Sequence, residues 1–452
     1  MRGYASNRKY RRMTTPIFDF VKSYSESKTA RFHMPGHKGI GLLGLEKYDI
    51  TEINGADVLY SADGIINESE NNLSSLYGTA HSFYSTEGST LVIKAMLALV
   101  SERYDDERPL ILAARNVHTA FIKAAALLDL DVEFIYPDKI EHLCECKITA
   151  GDVREAVISA KRKPRAVYVT SPDYLGNMLD IASISSVCRE FDLPLLVDNA
   201  HGAYLKFLEN DLHPISLGAA MCADSAHKTM PVLTGGAYLH ISSDYAEYAE
   251  RARGALSLFA STSPSYLTLC SLDLCNKRIA DGYGDKIGLL AQKSVEIKKK
   301  LLEYGFDVCD GEPLKITVKA GLEFADALRD GGIEPEFSDN EYTVLMLTPE
   351  NTEADFNRLL ELVSRTRVSK SEEVKDFSIK PHNREMTIRQ AVFSPYESVL
   401  VENALGRICS SPTVSCPPAV PIVVSGERIS EEDINLFKYY GVNTVSVIKK
   451  AP

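Results

Sequence analysis

The sequence predicts an α/β fold: a mainly parallel sheet covered by helices, followed by a smaller α+β C-terminal domain. Three observations predict it. From Tyr77 to Leu239, short apolar, β-rich runs alternate with helical patterns. After Gly284 the pattern changes to short strands mixed with helices. Several apolar runs end on a polar residue, as strands of such sheets do where they deliver side chains to ligand-binding loops.

In chain order, LILAA (110–114) reads as a strand, HTAFIKAAALLDL (118–130) as a helix and VEFIYP (132–137) as a strand. DVREAVISAKRK (152–163) is helical, AVYVTSP (166–172) a strand, ISSVCREFD (184–192) helical and LPLLVDNAHG (193–202) a buried strand with a polar end. Residues 219–241 read as two strands around a polar turn. Strands apolar on both faces and separated by helices belong to a parallel sheet covered on both sides. Their carboxyl ends direct attention to His118, Ser171, Asp198 and Lys228. Farther on, 286–305 and 354–366 are amphipathic helices, and FDVCD, LKITV and YTVLMLT are strands. The expected organisation is an arm over 1–45, a large domain over 46–290 and a C-terminal α+β domain over 291–452. A polar linker (369–386) leads to the last segment of that domain, from about 380.

Composition narrows the function. Length 452 is too long for one ordinary core. Hydrophobic residues at 45% and charged residues at 25% fit a globular protein. No apolar run spans a bilayer, and the basic N-terminus has no apolar stretch behind it, so a cytoplasmic protein is expected. A formal charge of −12 argues against a nucleic-acid partner. The nine cysteines are scattered, and Cys144 and Cys146 form the only close pair, so free thiols are expected rather than disulfides or zinc.

Some familiar patterns fail on context. GIGLLG matches a dinucleotide fingerprint through Gly39, Gly41 and Gly44, but turn chemistry rather than a strand precedes it. His33 and His37 have the spacing of a zinc helix, which Pro35 and Gly36 would break. Neither a P-loop nor a G-x-S-x-G elbow occurs, and no metal is expected.

Four segments are informative together. STEGST (85–90) precedes a helical pattern, offering hydroxyls, backbone N–H groups and a helix N-terminus to a phosphate; alone it is equally an N-cap. Asp198 ends a buried strand and needs a partner; a protonated pyridine nitrogen or a simple turn would each supply one. SAHK (225–228) places Lys228 where burial would favour an imine-forming amine, against the alternative of a surface lysine. His118 in RNVHT ends a strand and is suited either to stack on a flat ring or to a structural hydrogen bond.

In that order the segments match pyridoxal-phosphate (PLP) enzymes of the aspartate-aminotransferase fold, PLP-dependent transferase fold type I. More specifically, the chain resembles the short form of the bacterial ornithine/lysine/arginine decarboxylase family. The resemblance is carried by HMPGHKG (33–39), DITE (49–52), LYGTAHSFYSTEGST (76–90), RNVH (115–118), TSPDYLG (170–176), VDNAHGA (197–203), SAHKT (225–229), LTGGAYLH (233–240) and STSPSYLTLCSLD (261–273). ALGRI (404–408) and CPPAVPIVVSGERI (416–429) extend it into the C-terminal segment.

The resemblance implies that Lys228 binds PLP covalently, that Asp198 pairs with the pyridine nitrogen and that His118 stacks on the ring. It places Gly88, Ser89, Thr90, Ser225 and His227 around the phosphate and His201 beside the cofactor. It further implies decarboxylation of a small cationic amino acid (lysine, ornithine or arginine) by a homodimer or larger assembly with its active site at the subunit interface. With 48 residues before DITE, the N-terminal domain of the long forms is expected to be absent. The chain departs from the family pattern at Glu87 (usually Asn), Asn199 (usually Glu), Gly235 (usually Gln), and Cys416 and Ala419 within a usual Tyr-Pro-Pro-Gly. Two alternatives stay open: an aminotransferase or β-eliminating lyase, with Arg384 or Arg389 as the candidate carboxylate-binding residue, and a PLP-binding protein without turnover.

Overall fold

The computed structural model describes residues 13–102, 107–367, 379–411 and 419–449. Seven strands form one mixed, mostly parallel sheet: β1 His81–Ser85, β2 Leu110–Ala114, β3 Asp131–Ile135, β4 Ala166–Thr170, β5 Leu195–Asp198, β6 Met221–Asp224 and β7 Ala237–Ile241. Their order is β1-β7-β6-β5-β4-β2-β3. β2 runs parallel to β3 and β4, whereas β7 is antiparallel to β1 and β6. Every residue of β2 and of β5 is buried, the signature of strands covered on both faces.

The described residues fall into two compact units. One draws on Met1–Leu99, Val197–Leu290 and Thr348–Glu350. In it the helix Gly88–Leu99 buries Leu91, Val92, Met96 and Leu99 and packs on β6 and β7. The helix Ile65–Tyr77 packs on β1 and ends at Gly78, whose left-handed φ of +70° closes the helix.

The other unit draws on Val100–Leu196, Ala291–Leu347 and Asn351–Pro452. It carries the helices Thr119–Leu128, Ala150–Ser159 and Ile181–Glu190. A second, antiparallel sheet comprises β8 Val308–Cys309, β9 Lys315–Val318, β10 Phe337–Ser338 and β11 Thr343–Met346, in the order β10-β11-β9-β8. The helix Glu353–Arg365 starts in a capping box of Thr352 and Asp355. Near the C-terminus β12 Tyr396–Leu400 pairs with β13 Thr444–Ile448 beside a core that includes Val401, Ile422, Phe437 and Val447.

Most expected elements are found within a few residues of their expected ends. The polar turn of 219–241 holds a helical turn, Ala226–Thr229, closed by Met230 N–H donating to the Ala226 carbonyl. GIGLLG follows no strand among the described residues, where the first begins at His81. His33 and His37 have separate partners, the Tyr24 hydroxyl at 2.6 Å and Asp49 at 3.2 Å.

Candidate active site

The polar residues that matter sit where β5 and β6 end. Asp198 is 3% exposed, and its Oδ1 accepts the Ala200 N–H at 3.2 Å, turning the chain sharply after the strand. The turn delivers His201, whose Nε2 lies 2.9 Å from Lys228 Nζ. Lys228 is half-buried on the helical turn that follows β6. The ring nitrogen of His201 holds the Lys228 amine in position.

The turn before the helix Gly88–Leu99 belongs to the same unit. Ser225 Oγ donates to Ser89 Oγ at 2.7 Å, joining the end of β6 to the first turn of the helix Gly88–Leu99. Gly88 takes φ +73°, and its N–H donates to the Gly235 carbonyl at 2.7 Å. Ser85 Oγ braces the approach, accepting Glu87 N–H and donating to the Gly88 carbonyl. Thr90 is exposed on the same first turn. His227 is committed to the main chain, with Nδ1 donating to the Gly236 carbonyl at 3.0 Å. The donor set suits PLP: two hydroxyls and a helix N-terminus for a phosphate, a buried carboxylate for a ring N–H, and an amine for an aldehyde.

His118 belongs to the second unit. It caps the helix Thr119–Leu128, with Nδ1 accepting Ala120 N–H at 3.1 Å. Thr119 N–H donates to the Ala419 carbonyl, and the buried Arg115 guanidinium donates to the carbonyls of Pro421 and Ile422. The C-terminal segment thus returns onto the RNVH turn.

The departures from the family pattern have physical consequences. Gly235 has φ +94°, and a Cβ there would lie 2.7 Å from the Thr86 carbonyl oxygen, so a glutamine would require main-chain movement. Glu87 is exposed and accepts Ser261 N–H at 2.8 Å. Ala419 holds φ +65°, a conformation that costs a non-glycine residue roughly 1 kcal/mol. Cys416 lies outside the described residues. Arg384 and Arg389 both donate to main-chain carbonyls, Val132 for one and Ala126 and Leu127 for the other.

Sequence reasoning did not single out the deepest polar cluster. Asp224 Oδ2 lies 3.0 Å from His213 Nε2 and 3.3 Å from His240 Nε2, all three fully buried. Burial pushes the Asp224 carboxyl up, but the two histidines more than reverse this and hold it well below the usual range. The available signal was an acid ending the apolar run 221–224, the same signal that marked Asp198.

The family model of the Orn/Lys/Arg decarboxylase major domain matches residues 15–303, and that of the C-terminal domain matches residues 370–450. The chain belongs to the Orn/Lys/Arg decarboxylase family. Arginine decarboxylase of Bacillus subtilis (strain 168) is 29% identical over 471 residues, covering 94% of this chain and 93% of that protein. Uncharacterized protein YaaO of the same organism is 28% identical over 465 residues, 93% of each. The crystal structure of the Francisella novicida lysine decarboxylase LdcF superposes with a TM-score of 0.80 at 17% identity, over 97% of this chain and 81% of that one. This likeness shows the fold, that of the PLP-dependent type I enzymes. Like the family, this decarboxylase uses PLP. No helix among the described residues is long and apolar enough to cross a membrane.

Proposed function

We propose that this decarboxylase removes the α-carboxylate of a basic amino acid (lysine, ornithine or arginine), releasing CO₂ and the corresponding amine, with Lys228 as the reacting lysine. The observation that carries this reading is the 2.9 Å approach of Lys228 Nζ to His201 Nε2, in the turn that also holds Asp198. Bound PLP supplies an electron sink for the electron pair left when CO₂ departs. Lys228 Nζ would hold the cofactor and would move a proton at the substrate, with His201 Nε2, 2.9 Å away, as its immediate exchange partner. The Asp198 carboxylate would pair with the ring N–H and keep it protonated, an interaction that its burial would strengthen. The Ser89 and Ser225 hydroxyls would hold the phosphate, with Gly88, Thr90 and His227 around it, and His118 would lie against the ring. The working form is a homodimer or larger assembly in the cytoplasm.

Arginine is the first substrate to try, because Bacillus relatives matching at 27–29% identity are named arginine decarboxylases. The test is mass spectrometry of all products after incubation with PLP and each amino acid. Agmatine or a diamine, with CO₂, is the expected result. A keto acid instead would move the assignment to an aminotransferase. Turnover retained in Lys228→Ala would refute the role of that lysine.

A further inference from the structure

Asn199 directly follows Asp198 and lies two residues before His201; Asp224 directly precedes Ser225 and lies four residues before Lys228. The side chains of these two neighbours meet, with Asn199 Nδ2 donating to Asp224 Oδ1 at 2.7 Å. We propose that the Asn199–Asp224 pair is the positioning element of the reaction centre, a buried amide–acid staple that sets His201 and Asp198 relative to Lys228. The proposal rests on Lys228 being the reacting lysine.

Each half of the staple is held so that the bond has one geometry. Asn199 is fully buried; its N–H donates to the Ala223 carbonyl at 2.9 Å and its carbonyl accepts Gly202 N–H at 2.8 Å. A Cβ on Gly202 would stand 2.0 Å from Asn199 Oδ1, so the glycine makes the room that the amide occupies. On the other strand, Asp224 Oδ1 also accepts from the Cys222 thiol at 3.2 Å, and Oδ2 faces His213 and His240. Tyr77 stacks on His240 with ring centroids 4.2 Å apart, and Ser82 Oγ lies 2.8 Å from His240 Nδ1. These contacts hold the Asp224 carboxylate in place, and the two main-chain bonds of Asn199 fix where its side chain starts.

The His213–Asp224–His240 group is close enough to invite a metal ion. The tautomer argues otherwise: Ile215 N–H donates to His213 Nδ1, which leaves the ring proton on Nε2 facing Asp224. The cluster is a hydrogen-bonded anchor with one acid. An acid at position 199, the usual residue of the family, would set a second carboxylate against Asp224 and beside Asp198, so here the polarity of the staple is fixed by both partners together.

The test is the exchange Asn199→Asp with Asp224→Asn, alone and combined, in the PLP-loaded enzyme. Each single variant is expected to lose kcat by about 10²-fold, as for a misplacement of the reacting groups, with KM little changed. The pH midpoint of the bound cofactor's absorption band should shift in each single variant and return in the double variant, with kcat restored to within several-fold. Thermal midpoints of the cofactor-free proteins report folding separately, and Asn199→Ala serves if Asn199→Asp does not fold. Folded single variants with wild-type kcat and absorption midpoint, or a double variant no better than the worse single, would overturn the proposal. Stoichiometric zinc in the purified protein, lost in Asp224→Asn, would also overturn it by making Asp224 a ligand. If Lys228→Ala keeps its turnover, the assignment of the reacting lysine fails, whatever the staple variants do.

Discussion

Lys228 and Lys315 are both drawn from water, to different degrees, and they are built for different ends. Lys228 is half-buried after β6 and meets a histidine ring nitrogen. Lys315, on β9, is 2% exposed; its Nζ donates to the Asp173 carbonyl at 3.1 Å and lies 3.7 Å from Glu312. Burial pulls the Lys315 amine below its ordinary value, with Glu312 and Asp173 opposing. Beside it, burial pushes Asp173 up to about 6 even though Asn177 and Lys315 pull it down. A lowered amine is thus no mark of catalysis. Lys315 lies between the Asp173 main-chain carbonyl and Glu312, and it ties the loop after β4 to the second sheet. Lys228 is only half-buried and faces an aromatic nitrogen, which under the proposed function would exchange protons with it.

The comparison can be broken by removing each amine. Lys228→Ala should reduce turnover by at least ~10⁴-fold while leaving the thermal midpoint close to wild type, measured by product formation and by calorimetry. Lys315→Ala should do the reverse. Leaving Glu312 buried without its cation should cost about 3–5 kcal/mol in denaturant unfolding, with the kcat of the folded enzyme retained. Lys315→Met combined with Glu312→Gln removes both charges and should recover that loss or exceed it. If Lys315→Ala instead abolishes turnover in folded protein, the contrast between the two lysines is wrong.

The smallest effect isolates burial from pairing. Asp273 accepts Phe18 N–H at 2.9 Å and Ser69 Oγ at 2.6 Å, and burial pushes its carboxyl up to about 7. Its folded value lies above the unfolded one, near 3.9, so the folded state binds more protons between those values. Its contribution is present below pH ~4 and is lost as pH rises towards about 7. Asp273→Asn keeps an acceptor for the Phe18 N–H but carries no titratable carboxyl, so its thermal midpoint should vary less over that window and exceed wild type above it. A steeper dependence in the variant would show that the ionised carboxylate is stabilised by its donors.

Legibility differed from residue to residue. LILAA was readable as a strand because all of its side chains are apolar, and Asp198 because an acid ending such a run is costly without a partner. SAHK drew notice as a polar interruption, but its helical turn was hidden by its brevity and by the Pro and Gly that follow. Asp224 carried the same signal as Asp198 and was passed over, since its partners His213 and His240 lie 11 and 16 residues away and no spacing rule links them. Lys315 in LKITV read as one residue of a strand, and nothing local distinguished it from a solvent-facing lysine.

The sequence by itself determined the alternation of strand and helix, the polar residues at the strands' carboxyl ends and, through its motifs, the PLP decarboxylase family. These depend on the periodicity of apolar residues and on short stretches of chemistry, both of which are local. Only the tertiary structure decided which polar groups meet: Ser89 with Ser225, His201 with Lys228, Asn199 with Asp224, and Lys315 with Asp173 and Glu312. Those pairings join segments separated by as many as 142 residues. They are selected by the cost of leaving a buried polar group unsatisfied, a cost set by which strands become neighbours in the folded sheet.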